Sequence, residues 1–400
     1  MTSAPPYCKH QPGTPSAAGV LDVGLKCPHR CLFCYYSNVD GEESLARKTF
    51  RSGAQCREIV SEMARQGLTS FDVTGGEPTL HPELIPIIRH ATSLGLASRV
   101  ITLGQNLMVR KDEPLFVDAL IDAGVTSFLF STHAVEEEAF KAFTNASWAR
   151  LKEAMDHLDR RGFQYCLNTV VFTGNQHMLP DIARESVRHG VYAHNFILFN
   201  PYYEWKNNAK AFAVQSRYPE ARPHLVRAVE ILEAGGVAVN VRYAPLCAFP
   251  ELRKNIVGIV GVHFDPHEWR NRAGNYDQPP AYCAEPLELG PDGVRGIHAL
   301  VRETRTLENG LRTIARRGED FKYFPEACAQ CGLMEACDGL DVNYLLNNGA
   351  NGPGDALVTP VPGARQHAPI VSERAAYGPA FLLKRSPFAD MRAAVLKEKA

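Results

Sequence analysis

Three cysteines are the first residues whose spacing suggests chemistry. In GLKCPHRCLFCYYSN, Cys27, Cys31 and Cys34 follow the first candidate strand directly, on a loop that contains Pro28. Thiolates this close can converge on one centre, and thiolate is the soft ligand that iron–sulfur clusters prefer. A cubane has one iron more than this trio has sulfurs. The uncovered iron would be an open coordination position, which separates a catalytic metal centre from a closed structural one. Zinc shared with a distant fourth ligand, and chance clustering, are the readings that spacing alone leaves open. About 40 residues on, FDVTGGEP at 71–78 reads as a buried strand ending in Gly75, Gly76, Glu77 and Pro78. Glycines there let backbone approach a ligand closely, and the Glu77 carboxylate can accept hydrogen bonds from a cationic amine.

A second group, CAQCGLMEACDG, sets Cys328, Cys331 and Cys337 at Cys-x2-Cys-x5-Cys spacing. As bare chemistry this is also half of a structural zinc knuckle that needs one more ligand. Cys247, in VNVRYAPLCAF, has three readings: a fourth ligand for that group, a hydrogen-atom donor near an active site, or an inert packing residue. Cys8, Cys56 and Cys166 read as packing residues. His263, Asp265, His267 and Glu268 in GVHFDPHEW are mixed donors of a kind common in polar loops and are not taken as a metal site. The run FNPYYEWKNN at 199–208 follows the sixth candidate strand, and Tyr202, Tyr203 and Glu204 in it are candidate substrate contacts.

These residues must be held by a scaffold, and the chain supplies a rhythm for one. Candidate strands at 20–25, 70–73, 98–103, 127–131, 165–172, 195–199 and 237–242 alternate with helical patterns, among them 56–68, 83–95 and 115–124. Their apolar residues recur at three and four spacing and end near glycine. Such βα repetition means an α/β fold with a parallel sheet, either open and doubly wound or a partial barrel. Past residue 243 the rhythm stops in a stretch rich in Pro and Arg. The expected organisation is an N-terminal extension at 1–18, a core at 19–243, a cysteine-rich domain at 244–346 and a tail at 347–400. That tail is loop-like at first, with a closing helix at 387–398.

Composition narrows the class. The 400 residues are 45% apolar and 22% charged, with 43 basic against 44 acidic side chains and a net charge of −1. That describes an ordinary globular chain with no electrostatic reason to bind nucleic acid. No stretch reads as a signal peptide or a membrane helix, so the expected location is cytoplasmic, with no membrane partner. In a reducing compartment the 11 cysteines are better explained by metal or redox work than by disulfides.

In this order and on successive βα units, the first two motifs resemble the radical S-adenosylmethionine (radical SAM) superfamily, over roughly residues 19–243. The resemblance implies a partial (β/α)6 TIM-like barrel. It implies that Cys27, Cys31 and Cys34 bind a [4Fe–4S] cluster whose free iron is chelated by the methionine amino and carboxylate groups of S-adenosylmethionine. The Gly75-Gly76-Glu77-Pro78 turn would hold the amino group, and Phe33, just before the last cysteine, would contact adenine. Ser131 and Asn168 fall where family members often place polar residues on the methionine carboxylate and ribose; a serine or asparagine bonded to backbone is the plainer alternative. The implied mechanism is reductive cleavage by an external one-electron donor such as flavodoxin or ferredoxin, followed by hydrogen abstraction from the substrate by a 5′-deoxyadenosyl radical.

Taken with the first group, the second resembles the SPASM or twitch extension of that superfamily, which binds auxiliary clusters. Cys283 and Gly293 fit its upstream half, but the cysteine that should follow is His298, and Asp341 stands where a further cysteine is required. The expectation is one auxiliary [4Fe–4S] cluster, on Cys283, Cys328, Cys331 and Cys337. Because the resemblance places a leader-binding domain ahead of the first cluster in many peptide-modifying members, the short segment before Cys27 favours a small polar substrate. A sugar, nucleoside or amino-acid derivative would be oxidised through the auxiliary cluster or epimerised with Cys247 returning hydrogen. A maturase acting on a ribosomal peptide or protein is the first alternative, and a non-catalytic iron–sulfur or zinc protein the second.

Overall fold

The computed structural model describes residues 18–34, 49–65, 70–110, 114–200 and 213–257, and shorter pieces at 322–323, 326–333, 337, 339–341, 344, 347–348 and 357–363. The strands are β1 (Ala18–Asp22), β2 (Ser70–Thr74), β3 (Ala97–Thr102), β4 (Val125–Ser131), β5 (Cys166–Val171), β6 (Ala193–Leu198), β7 (Ala238–Arg242) and β8 (Ile256–Val257). The helices are α1 (Gly53–Arg65), α2 (Leu84–Ser93), α3 (Phe116–Asp122), α4 (Glu137–Thr144), α5 (Trp148–Arg160), α6 (Leu179–Arg188) and α7 (Tyr218–Ala234). Every neighbouring strand pair is parallel, and the strands lie in strictly sequential order from β1 to β8. A doubly wound sheet reverses its order at a switch point. This one never does, so the partial-barrel alternative holds.

Alternation along each strand sends one set of side chains out to the helices and the other into the barrel. Outward go Phe71, Val73, Val100, Phe128, Phe130, Leu167, Val171, Phe196, Leu198, Val239 and Val241, which join the apolar stripes of the helices in one core. In α6 that stripe is Leu179, Ile182, Ala183 and Ser186, at three and four spacing. Each fully buried large apolar side chain contributes about 1.5–3 kcal/mol.

The inward set is tiered. Leu129, Cys166, Ala193 and Ala238 are partners in register and, with Tyr192, form a small apolar floor. Near this floor Arg99 and Asp72, paired across β3 and β2, close a bidentate ion pair at 2.6 and 2.5 Å. Two residues further along each strand, Ser131, Asn168, Asn195 and Asn240 are again partners in register. This row crosses four adjacent strands, on the side toward their C-terminal ends.

The sheet runs on through β8, past the expected core boundary at 243, so Cys247 lies between two barrel strands. The C-terminal pieces include an antiparallel pair, β9 (Lys322–Tyr323) with β10 (Leu340–Asp341). They lean on the start of α7: the Tyr218 and Tyr344 rings stack with centroids 3.6 Å apart, and the Tyr218 N–H donates to the Tyr344 hydroxyl at 3.0 Å.

Candidate active site

The β1 strand stops earlier than its apolar run predicts. The Asp22 Oδ1 accepts from the Gly24 N–H at 2.8 Å, a local turn that competes with the strand, and Gly24 takes φ +109°. The chain is thereby released into the cysteine loop at the C-terminal mouth of the barrel, where the sites of such barrels form.

The turn after β2 is fastened to that loop. The Gly76 N–H donates to Gly24 O at 2.8 Å and the Glu77 N–H to Lys26 O at 2.9 Å. A β-carbon on Gly75 would stand 2.3 Å from Gly24 O, and one on Gly76 2.3 Å from Lys26 O. The glycines therefore permit close approach to the chain's own cysteine loop, where the motif alone suggested a ligand.

Glu77 has several partners within the chain. The carboxylate is 2% exposed; its Oε1 accepts from the Thr79 N–H at 3.2 Å and from the Thr79 and Thr102 hydroxyls at 2.6 Å each. Its Oε2 accepts from the Leu103 N–H at 3.2 Å. The side chain braces β2 against β3. Pro78 opens the 3-10 turn that follows and is buried.

The cysteine loop is tied down on its other side by Arg30 N–H to Thr144 O and Leu32 N–H to Phe143 O, at 3.1 and 3.0 Å. Cys27 is exposed, while Cys31 and Cys34 are half-buried. Burial, followed by the proximity of Cys34 and Cys27, pushes the Cys31 thiol well up. Phe33 is turned inward: its ring packs on His133 and Phe172, with centroids 4.3 and 5.1 Å away, in a cluster that includes Phe199. His133 Nδ1 accepts the Val170 N–H, and burial with His194 nearby lowers its pKa to about 3.

Two features escaped the sequence reading. His29, inside the cysteine loop, has a buried side chain, and its Nε2 lies 3.8 Å from Glu77 Oε2. Burial draws its pKa down and Glu77 opposes that. The other is Asn195 and Asn240, which extend the Ser131–Asn168 pair into a row; the Asn240 amide donates to Asn195 Oδ1 at 2.8 Å. Register is what reveals them, since an isolated in-strand asparagine carries no signal. Tyr202, Tyr203, Glu204, Cys8, Cys283, His263, Asp265, His267, Glu268 and the helix expected at 387–398 lie outside the described residues.

A family model described as Radical SAM superfamily matches residues 22–185. The chain carries a radical SAM domain. Its sequence is 28% identical over 196 residues to a PqqA peptide cyclase of Methylorubrum populi, 48% of each chain. It is 29% identical over 185 residues to a PqqA peptide cyclase of Bradyrhizobium diazoefficiens, 44% of each. The matched region thus spans about half the length of these curated relatives. In fold the chain is similar to Streptococcus suis SuiB bound to S-adenosylmethionine, with a TM-score of 0.55 at 12% identity over 84% of this chain and 75% of that one. It is also similar to SuiB bound to the precursor peptide SuiA, at 0.53 and 14% over 84% and 74%.

With a radical SAM domain come a [4Fe–4S] cluster and S-adenosylmethionine. The residues fit them: a trio of thiols on one loop that backbone hydrogen bonds pin from both sides. The small polar substrate expected from the sequence is overturned, because the curated relatives are named as peptide cyclases. The length of chain before Cys27 was a poor guide, since it does not measure what the barrel mouth admits. Among the described residues no helix is long and apolar enough to cross a membrane.

Proposed function

We propose that this is a radical SAM maturase that modifies a side chain of a peptide substrate. The observation that carries the reading is the fastening of the cysteine loop to the Gly75-Gly76-Glu77 turn at the barrel mouth, above the Ser131–Asn168–Asn195–Asn240 row. The resemblance in sequence to the PqqA peptide cyclases supports a peptide as the substrate. When bound, the cluster and S-adenosylmethionine supply reductive cleavage and a carbon radical able to abstract hydrogen.

In this reading Cys27, Cys31 and Cys34 hold the cluster, and the backbone from Gly75 to Pro78 faces the methionine amino group. Phe33 supports the adenine side through its backbone, its ring anchoring the loop. Ser131 and Asn168 meet the methionine carboxylate and ribose, while the Asn195–Asn240 amide pair meets the peptide, whose N–H and C=O groups match an amide's acceptor and donors. The apolar floor and the Arg99–Asp72 pair close the barrel below, keeping water from a reactive radical.

The test is anaerobic reconstitution with reductant, S-adenosylmethionine and short peptides encoded beside the gene. Release of 5′-deoxyadenosine together with a mass change in one peptide is expected. Turnover stimulated only by small metabolites, with every peptide unchanged, would overturn the reading.

A further inference from the structure

The residue just before Cys34 sits in a socket made by two strand ends. Phe33 is 6% exposed. Its ring meets His133 edge to face at 4.3 Å and Phe172 at 5.1 Å, and Phe143 meets Phe172 edge to face at 5.0 Å. Val170 and Phe199 complete the cluster. His133 stands just past β4 and Phe172 just past β5, so the socket straddles the seam between these strands at the barrel mouth. The same wall carries the loop's backbone, because the Leu32 N–H donates to Phe143 O.

Side chains hold that seam where the ladder ends. Among the described residues the last backbone bond across it runs from the Thr132 N–H to Asn168 O, at 2.8 Å. Beyond it, the Val170 N–H donates to His133 Nδ1 at 3.2 Å. Asn175, wholly buried, then bridges both strand ends with one amide: its Nδ2 donates to His133 O at 3.0 Å and to Val170 O at 2.9 Å, and its Oδ1 accepts from the Phe172 N–H at 3.0 Å. Asparagine suits the task, since one planar group offers two donors and an acceptor. The turn also presses on the Phe172 ring: a β-carbon on Gly174 would stand 2.5 Å from Phe172 Cε2. The two residues against which Phe33 rests are thus fixed in backbone by Asn175.

We infer that Asn175 is the positioning residue of the cysteine loop: by fixing the backbones of His133 and Phe172 it sets the seat of the Phe33 ring, and through Phe33 the placement of Cys34 and of the backbone that faces S-adenosylmethionine. Its amide is spent on the strand ends, so it acts through the socket and not by contact with the cofactor. Misplacement of a reacting group by about 1 Å is costly to chemistry, which gives a buried clamp at this seam its use. The inference rests on the radical SAM domain and not on a peptide as substrate.

The test uses the full chain, reconstituted anaerobically with iron and sulfide and kept oxidised so that no cleavage occurs, and titrates it with S-adenosylmethionine by calorimetry. Asn175→Ala and Phe33→Ala are each expected to weaken binding about tenfold, with iron content unchanged. The double variant decides the route: changes that act through one seat should together cost little more than either alone, whereas independent changes multiply to about a hundredfold. Asn175→Asp, which keeps the acceptor for Phe172 and loses both donors, takes the place of Asn175→Ala should far-ultraviolet circular dichroism show that the latter does not fold. Affinity unchanged by both Asn175 variants, or losses that multiply in the double variant, overturns the inference. Failure of the maturase reading shows elsewhere, as peptides left unchanged by the unaltered chain, and leaves this titration as it is.

Discussion

The two cysteine groups use the same ligand in opposite surroundings. At the barrel mouth Cys27 is exposed and Cys31 and Cys34 half-buried, on a loop that begins where a strand is cut short. At the C-terminal seam Cys328, Cys331 and Cys337 are buried, and backbone amides point at the sulfurs of Cys331 and Cys337. One arrangement leaves room beside its sulfurs and the other fills it. Catalytic metal centres keep a position open, whereas structural and electron-transfer centres close around the metal. The contrast lies in how neighbouring backbone meets the sulfurs, which spacing cannot express.

The largest expected effect that sharpens this contrast is Gly76→Ala. Its new β-carbon would lie 2.3 Å from Lys26 O, so turn and loop must separate, at about 1–3 kcal/mol of strain. Iron at the mouth and 5′-deoxyadenosine release should fall to background while the buried C-terminal seam keeps its resistance to proteolysis; loss of both together would break the comparison. Next comes Glu77→Gln, which replaces a buried carboxylate accepting from four donors by an amide with one accepting oxygen. A loss of about 1.5–3 kcal/mol in denaturant unfolding is expected.

Acid should act on the barrel in turn. His133 and His194 are buried and neutral, each with a pKa lowered to about 3. Unfolded, each would titrate near 6.5. Their contribution is full above that pH and is lost as pH falls toward 3, by about 1.4 kcal/mol per unit per histidine. Replacing His194 by Gln should flatten the stability profile between pH 6.5 and 4.5 in equilibrium unfolding; an unchanged slope would mean that other groups carry the acid response. The smallest effect expected is for Asn240→Ala, which removes the amide that donates to Asn195. With iron at the mouth unchanged, kcat/KM for the peptide should fall about tenfold, the worth of one hydrogen bond of about 1.4 kcal/mol. An equal fall in thermal stability would make the row structural only.

Much of the scaffold was legible in the residues because its signals are local. The seven candidate strands each match a strand to within a few residues, since apolar alternation and terminal glycines are properties of short segments. The first strand was read too long because the Asp22 turn acts against an apolar run that continues to Leu25. The Gly75-Gly76 pair was recognised but its close partner was not, and neither were the partners of Glu77 within the chain, Thr79, Thr102 and Leu103. Those partners come from another loop and another strand, which no motif names.

The sequence by itself determined the chemistry available: soft sulfur ligands in two groups, a turn that tolerates no side chain, and a βα repetition that must build a parallel sheet. Tertiary structure alone decided that the strands run in sequential order, that Ser131 and three asparagines form one row, and that the Val361 and Gly339 amides meet the sulfurs of Cys331 and Cys337. The reason is that residue type and spacing fix what a segment can do locally. Register between strands and contacts between distant loops depend on how the whole core packs.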